Sequence, residues 1–374
     1  MAAPRWIGLE PGHLAQIVDR FALGRQGGAC APVRFDPLLL GHINQSIIVT
    51  TVGAGRFLLQ KINREIFRDI AALMENLQRV TEHLRGSGVA SLRLMPTKDG
   101  GRFYREAVSG DCWRMFPFIE GSSCTSHPRS PVQAERTAAA FGDFSRRLAD
   151  LPAPPLHVTI PDFHNPPKRI ADLVATVEQD PVGRAAGAGS EIDAAMAAAS
   201  WAEDLVAGGG RGQEAPPERV AHNDAKIENV LFDRTGSRVL CIVDLDTVMP
   251  GSLLHDFGDL VRSCAATAGE EERDLERIGA SMQMFTALAR GFIAACGDSM
   301  TGAERAGLPL AGRLLAYEQA LRFLTDHLNG DSYYRIQRGG QNLDRARNQL
   351  ALAAALTREE PALIEICERA FDTI

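Results

Sequence analysis

Two short polar segments constrain the fold of this 374-residue chain more than any other feature: HNDAKIEN (222–229) and IVDLD (242–246). Between them lies VLFDRTGSRVLC (230–241), two apolar runs around a D-R-T-G-S turn, which reads as a β-hairpin. A hairpin brings the chain back to where it began, so Asp244 is delivered beside the loop that carries Asp224 and Asn229. One tight loop then presents a carboxylate and a carboxamide, with a second carboxylate alongside. Phosphoryl transfer needs that set: a base for the acceptor hydroxyl, oxygen ligands for a divalent cation, and fixed positions for both. Lys226, two residues past Asp224, can offset negative charge that develops on the transferring group.

The spacing of His222, Asp224 and Asn229 matches the protein-kinase catalytic loop H-R-D-L-x-x-x-N. On that pattern Asp224 accepts the hydroxyl proton, and Asn229 and Asp244 hold Mg²⁺ against the phosphates of ATP. Asp246 stands where a protein kinase has the glycine of D-F-G. The chain reaches HDFGDLVR (255–262) within a few residues of VDLDTVMPG, which leaves little room for an activation segment and speaks against a protein substrate.

The remainder of the chain is consistent with two lobes. The first third reads as strands with one helix. Runs 38–51 and 56–62 flank Gly53-Ala54-Gly55 as a hairpin, and 69–85 has helical spacing with Asp69 as N-cap. Short strands are expected near 91–95, 102–108 and 112–116. Beyond residue 122 the patterns turn helical, over 131–150, 168–180, 190–207, 271–295, 303–328 and 341–372. The stretch GGGRGQEAPP (208–217) is a loop and lacks the G-x-x-x-x-G-K-[ST] phosphate-loop pattern. The expectation is an α+β, bilobal, protein-kinase-like fold: an antiparallel-sheet N-lobe (1–115), a hinge (116–121) and a mostly helical C-lobe (122–374).

In such an N-lobe a strand lysine meets the α/β-phosphates and a helical glutamate holds it. Lys61, at the end of FLLQKI, and Glu75 on the following helix are the candidates. Facing alternates along a strand, so a one-residue slip would put Gln60 in that place, and the same helix also carries Glu82. Lysine occurs at only four positions (61, 98, 168 and 226) while arginine supplies the other basic residues, and two of the four fall at these motif positions. At the hinge, backbone groups around Phe116 and Phe118 are expected to meet the adenine; Pro117 has no N–H to offer.

Composition excludes several other classes. A formal net charge of −7 argues against a nucleic-acid surface. The seven scattered cysteines form no C-x-x-C pair, so reduced thiols are expected and not a zinc site or disulfide framework. No apolar run is long enough to span a membrane, and the first ten residues do not read as a signal peptide, so the expected location is cytoplasmic.

With these residues in place, the chain resembles the aminoglycoside phosphotransferase and choline kinase superfamily, and more narrowly the N-acetylhexosamine 1-kinases. The narrower resemblance rests on GHINQSIIV, FLLQKIN, ALMENLQRVTEHL, FPFIEGS, HNDAKIENVLFD, VDLDTVMPG, HDFGDLVR and RFLTDHLNGDSYY, spread over residues 41–334. It implies Asp224 as catalytic base with Lys226 beside it, and Mg²⁺ on Asn229 and Asp244. It also implies sugar contacts from His42 and Asn44 and from Arg322 and Tyr333. Asp256 and Asp259 read as braces of the catalytic loop. The partners implied are ATP and a small-molecule acceptor, an amino sugar phosphorylated at its anomeric hydroxyl. The alternatives are a kinase of another small alcohol (homoserine, choline, another sugar or an aminoglycoside) and a nucleotide-binding pseudokinase regulator. The intact Asp224, Asn229 and Asp244 argue against the last.

Overall fold

The computed structural model describes residues 10–23, 32–38, 43–207 and 215–374. They divide into two compact units, Met1–Ser122 with Pro154–Ile160, and Ser123–Ala153 with Pro161–Ile374. Among the described residues no helix is long and apolar enough to cross a membrane.

The first unit begins with helix α1 (Pro11–Val18), followed by β1 (Pro32–Leu38), β2 (Gln45–Thr51), β3 (Gly55–Ile62), α2 (Ile70–Gly86), β4 (Tyr104–Arg105) and β5 (Cys112–Pro117). The strands form an antiparallel sheet in the order β1-β2-β3-β5-β4. The expected β2–β3 hairpin forms, and Gly53 and Gly55 take the positive φ that its turn demands. The alternation of side chains sorts the sheet. Ile47, Val49, Phe57, Leu59, Trp113 and Met115 pack on one face with Leu14, Ile17 and Val18 of α1. Ser46, Leu58, Gln60, Arg114 and Phe116 therefore point to the other. Asp69 caps α2 as expected, its Oδ1 accepting the Ala72 N–H at 2.9 Å. Asn76 on α2 bonds both ways to His157, with Nδ2 donating to its carbonyl at 2.8 Å and Oδ1 accepting its N–H at 2.9 Å. Residues 91–95 form no strand; Met95 N–H donates singly to Met115 O at 2.9 Å.

A two-residue strand, β6 (Ser122–Ser123), marks where the sequence leaves the first unit. The second unit is mostly helical. Its helices are α3 (Pro131–Leu148), α4 (Pro166–Gln179), α5 (Gly189–Ala197), α6 (Ala199–Val206), α7 (Leu253–Cys264), α8 (Met282–Cys296), α9 (Gly302–Gly307), α10 (Ala311–Leu328), α11 (Gln341–Arg358) and α12 (Glu360–Phe371). Three expected long helices are each broken in two, at Ala198, around 308–310 and at Glu359, and α8 starts at Met282 rather than 271. Pro309 and Pro361 explain two of the breaks, since proline starts a helical segment more readily than it continues one.

Four short strands sit among these helices: β7 (Arg219–Ala221), β8 (Val230–Asp233), β9 (Val239–Ile242) and β10 (Met249–Gly251). Helices α7 and α10 cross closely. A Cβ on Gly258 would lie 2.5 Å from Ala311 O, and one on Gly312 would strike the Val261 side chain. That close crossing holds the polar face of α7 and the middle of α10 around the catalytic loop.

Candidate active site

The hairpin delivers what its pattern promised. Val230 pairs with Ile242 across β8 and β9, and Val243 N–H donates to Asn229 O at 2.9 Å. Asp244 is therefore the next residue beyond the one bonded to Asn229. It adopts a left-handed backbone, φ 58°, that turns the chain out of the strand. On the loop itself, Asn229 Nδ2 donates to Asp224 O at 2.8 Å and to Asp224 Oδ2 at 2.9 Å. The Lys226 ammonium lies 3.0 Å from the same Oδ2.

The loop is braced from below. Buried Asp256, on α7, accepts the N–H of His222 at 2.9 Å and of Asn223 at 2.7 Å. Asn223 is held at φ 61°, with Nδ2 directed at the carbonyls of Ala221, Thr247 and Met249. A side chain at Gly251 would collide with the Asn223 amide, so β10 must carry glycine there. His222 is fully buried, packed edge-on to Phe141, and donates Nε2–H to Val243 O at 3.1 Å. Nδ1 has no partner among the described residues, and burial lowers the ring's pKa and keeps it neutral. Asp259 pairs with Arg262 at 2.8 Å and adds negative potential at Lys226.

These neighbours set the charge of Asp224. Burial alone would raise its pKa. The Lys226 ammonium and the hydrogen bonds from Lys226 and Asn229 outweigh burial and bring it down to about 2. Asp224 is a carboxylate at neutral pH, able to accept a proton. Asp256 goes the other way: burial, opposed by its two N–H donors, pushes it up to about 7.

The donor set suits a hard divalent cation. With its amide nitrogen committed to Asp224, Asn229 would offer its oxygen to such an ion, and Asp244 would supply a carboxylate from the adjoining turn. Among the described residues no cluster of three or more His, Cys, Asp or Glu side chains could hold a metal alone. Two protein oxygens fit an ion that keeps its waters and shares phosphate oxygens, as Mg²⁺ does.

The C-terminal candidates lie in the same unit. The Arg322 guanidinium carbon sits 5.2 Å from the Phe163 ring, 5.7 Å from Tyr334 and 6.0 Å from Tyr333. Its Nη1 donates to Gln319 Oε1 at 3.2 Å. The loop bearing the two tyrosines is fixed by Asp326, which accepts their N–H groups at 2.8 and 2.9 Å. Tyr333 keeps its ring 55% exposed.

In the first unit the residues named for the nucleotide are not brought together. Lys61 pairs with Asp111 at 2.5 Å, and Glu75 with His157 at 3.4 Å. The register explains it. Lys61 lies opposite Trp113, on the face that packs with α1, while Gln60 lies opposite Arg114 on the other face. Gln60 accepts from Arg114 Nε at 3.0 Å and donates to Ser46 Oγ at 2.9 Å. Phe116 is buried in β5, and Phe118 N–H is committed to Arg56 O at 3.0 Å, which removes it as a donor for adenine. The β3–β5 ladder simply runs one residue past Pro117. Asn44 Oδ1 accepts Asn63 N–H at 3.0 Å, and His42 lies outside the described residues.

A family model described as the phosphotransferase enzyme family matches residues 35–290, more than half of the chain and all of the catalytic loop. The chain belongs to this family. Among solved structures it is similar to an aminoglycoside phosphotransferase from Alicyclobacillus acidocaldarius: 14% identity, 100% of this chain and 98% of that one, TM-score 0.58. It is also similar to a microcompartment-associated aminopropanol kinase, at 17% identity over 94% and 98% of the two chains, TM-score 0.63. A spectinomycin phosphotransferase solved with ADP and spectinomycin gives 11% identity over 95% and 99%, TM-score 0.62. Likeness at such identities is a likeness of fold, and the shared fold is the α+β one of these kinases, an antiparallel sheet followed by a mostly helical part. The protein is a phosphotransferase of this family.

Sequence reasoning missed four residues of this phosphotransferase's second unit. Phe163, His164 and His255 gather near Asn223, and Glu318 lies on α10, one turn before Arg322. A lone histidine before Asn165-Pro166 reads as a helix-start loop, and Glu318 in AYEQALRFL reads as a solvated helix position. Only the distance of 154 residues closed by one hydrogen bond reveals them as partners.

Proposed function

We propose that this phosphotransferase transfers the γ-phosphate of ATP to the anomeric hydroxyl of an N-acetylhexosamine, with Mg²⁺ held by Asn229 and Asp244. The hydroxyl proton passes to the Asp224 carboxylate, the oxygen bonds to phosphorus, and the bond to the ADP oxygen breaks. Lys226 shares the charge of the transferring group. An anomeric hydroxyl is the most acidic on a sugar, so a base as weak as Asp224 suffices. The proposal includes an N-lobe of residues 1–115, a hinge at 116–121 and a C-lobe from 122, with a cytoplasmic location.

One observation carries the substrate. The aromatic box of Phe163, Tyr333 and Tyr334 is filled by the chain's own guanidinium, and among the described residues Arg322 pairs with no carboxylate. Such a box would otherwise suit an ammonium group, the charge carried by choline or an amino alcohol. Filled by Arg322, it repels such an acceptor and offers N–H donors to a carbonyl or hydroxyl oxygen. The exposed Tyr333 ring gives a sugar an apolar face to stack on. The same guanidinium, which hydrogen-bonds Gln319 and Tyr333 and has no salt bridge among the described residues, would take a carboxylate, so a hydroxy-amino acid such as homoserine is the second reading.

Phosphorus NMR of the product, over a panel of N-acetylglucosamine, N-acetylgalactosamine, homoserine, choline, aminopropanol and spectinomycin, tests both readings. A sugar 1-phosphate is expected. Turnover confined to the cationic acceptors removes this substrate class and leaves the family untouched. Arg322→Ala and Tyr333→Phe are expected to weaken sugar use far more than ATP binding, the first by about 1–3 kcal/mol for a lost donor and the second by less, because Tyr333 is exposed.

A further inference from the structure

We propose that His164 is a positioning residue for Asp224, acting as an imidazolium clamped between the Glu318 carboxylate and the backbone carbonyl that leads into the base. The proposal rests on reading Asp224 as the base, and not on the identity of the sugar.

The geometry fixes the protons. His164 Nδ1 lies 2.8 Å from Glu318 Oε2, and Nε2 lies 2.8 Å from Asn223 O. A carbonyl only accepts, so Nε2 carries hydrogen. Glu318 Oε1 accepts the Asn165 N–H at 2.8 Å, and the His164 charge and hydrogen bond outweigh burial and hold Glu318 below its ordinary pKa, so Oε2 also accepts and Nδ1 carries hydrogen too. The ring side chain is only 7% exposed and its partner's 2%, so water does not substitute for either bond. If the shared proton moved onto Glu318, the pair would hold the same number of protons and titrate as one unit.

The surroundings agree. Burial disfavours the charged ring; the charge of Glu318 and the two hydrogen bonds outweigh it, Arg322 opposes it, and the net effect raises His164 above its ordinary pKa. The other groups facing it come from α7. His255 stacks at 4.6 Å and is driven down to about 3 by burial and the His164 charge, so it stays neutral. Asp256 feels His164 as a favourable charge.

The consequence lies in the Asn223–Asp224 peptide. Asp256 fixes the N–H of Asn223 and three carbonyls fix its side chain, while His164 holds its carbonyl. Releasing that carbonyl frees the peptide to rotate and moves the Asp224 carboxylate. A displacement of ~1 Å in a reacting group costs ~100-fold in rate. Because Glu318 and Arg322 lie one turn apart on α10, the helix that offers the acceptor-side guanidinium also holds the clamp on the base.

Two variants test the clamp. His164→Gln should lower kcat by about 10- to 100-fold, with the KM for ATP within about twofold, assayed on whichever hydroxyl acceptor the panel shows active. Glu318→Gln keeps the shape but removes the counter-charge and replaces one of the two acceptor oxygens by an amide NH2. In it the alkaline fall of kcat, which follows loss of the His164 proton as pH rises through its raised pKa, should shift to lower pH. Nitrogen-15 NMR of labelled histidine, in the free protein, should show the resonance lost in His164→Gln titrating at lower pH in Glu318→Gln. This reading needs no acceptor, so it survives failure of the sugar assignment. Unchanged kcat in His164→Gln, or an alkaline limb unmoved in Glu318→Gln, overturns the proposal. If His164→Gln does not fold, the limb in Glu318→Gln decides alone.

Discussion

In the loop 222–229 the groups proposed to do chemistry are two to five residues apart on one turn, whereas in the N-terminal sheet Lys61 and Glu75 sit fourteen residues apart on a strand and a helix. The loop brings the Asn229 amide nitrogen and the Lys226 ammonium each within 3.0 Å of Asp224 Oδ2. The sheet separates Lys61 from Glu75 and gives each another partner. A tight turn leaves few conformations that satisfy its own backbone, so spacing nearly determines geometry there. A strand residue's role depends on a register that one position reverses. The same two-residue period that buried Leu59 and Phe57 against α1 carried Lys61 to their face and Gln60 to the opposite one.

Variants in the loop should show the largest effects. Asp224→Asn removes the base while keeping the hydrogen bond to Asn229 in outline, and should lower kcat by roughly two to four decades at near-constant ATP affinity. Turnover close to normal in a folded variant would break the loop half of the comparison. Asp244→Ala should abolish Mg²⁺-dependent nucleotide binding, read by titration of ATP with and without the ion. Binding that keeps its metal dependence counts against the Asn229–Asp244 pair.

The brace comes next in size. Asp256→Ala leaves the buried N–H groups of His222 and Asn223 without an acceptor, at about 1–3 kcal/mol each, so a total loss of about 2–6 kcal/mol is expected in urea unfolding. A loss under about 1 kcal/mol would mean that the loop holds its shape unaided.

The sheet should give the smallest effects, and their order sharpens the comparison. Gln60→Ala takes an acceptor from Arg114, which is 2% exposed, and should cost about 1–2 kcal/mol and raise the KM for ATP. Lys61→Ala breaks a part-exposed ion pair worth about 0–1 kcal/mol and should leave the KM for ATP within about twofold. If Lys61→Ala proves the more damaging to nucleotide binding, the facing of β3 read from the register is not the one that matters for ATP.

Much of the fold was legible because the signals were local. Asp69 before an apolar-periodic run announced α2, glycines announced the β2–β3 turn, and an apolar–turn–apolar run announced the hairpin between Asn229 and Asp244. The helix break at Ala198 was less legible, since helical periodicity continues through it in sequence with no proline to mark it. Asp256 and Asp259 were read as braces, and Asp256 holds the loop by two N–H groups.

The sequence alone determined the local geometry of the loop. His222, Asp224, Lys226 and Asn229 lie within one turn, and a hairpin of fixed length can only return Asp244 to their side. Tertiary structure decided everything that depends on distant partners. It placed Gln60 and Arg114, rather than Lys61 and Glu75, together on one face of the sheet. It filled the aromatic box with Arg322, and it set His164 against Glu318 across 154 residues. Backbone geometry propagates order over a few residues only. Beyond that, which side chains meet is settled by strand register and by how closely α7 and α10 can cross, and a buried charge finds its partner only once the helices have packed.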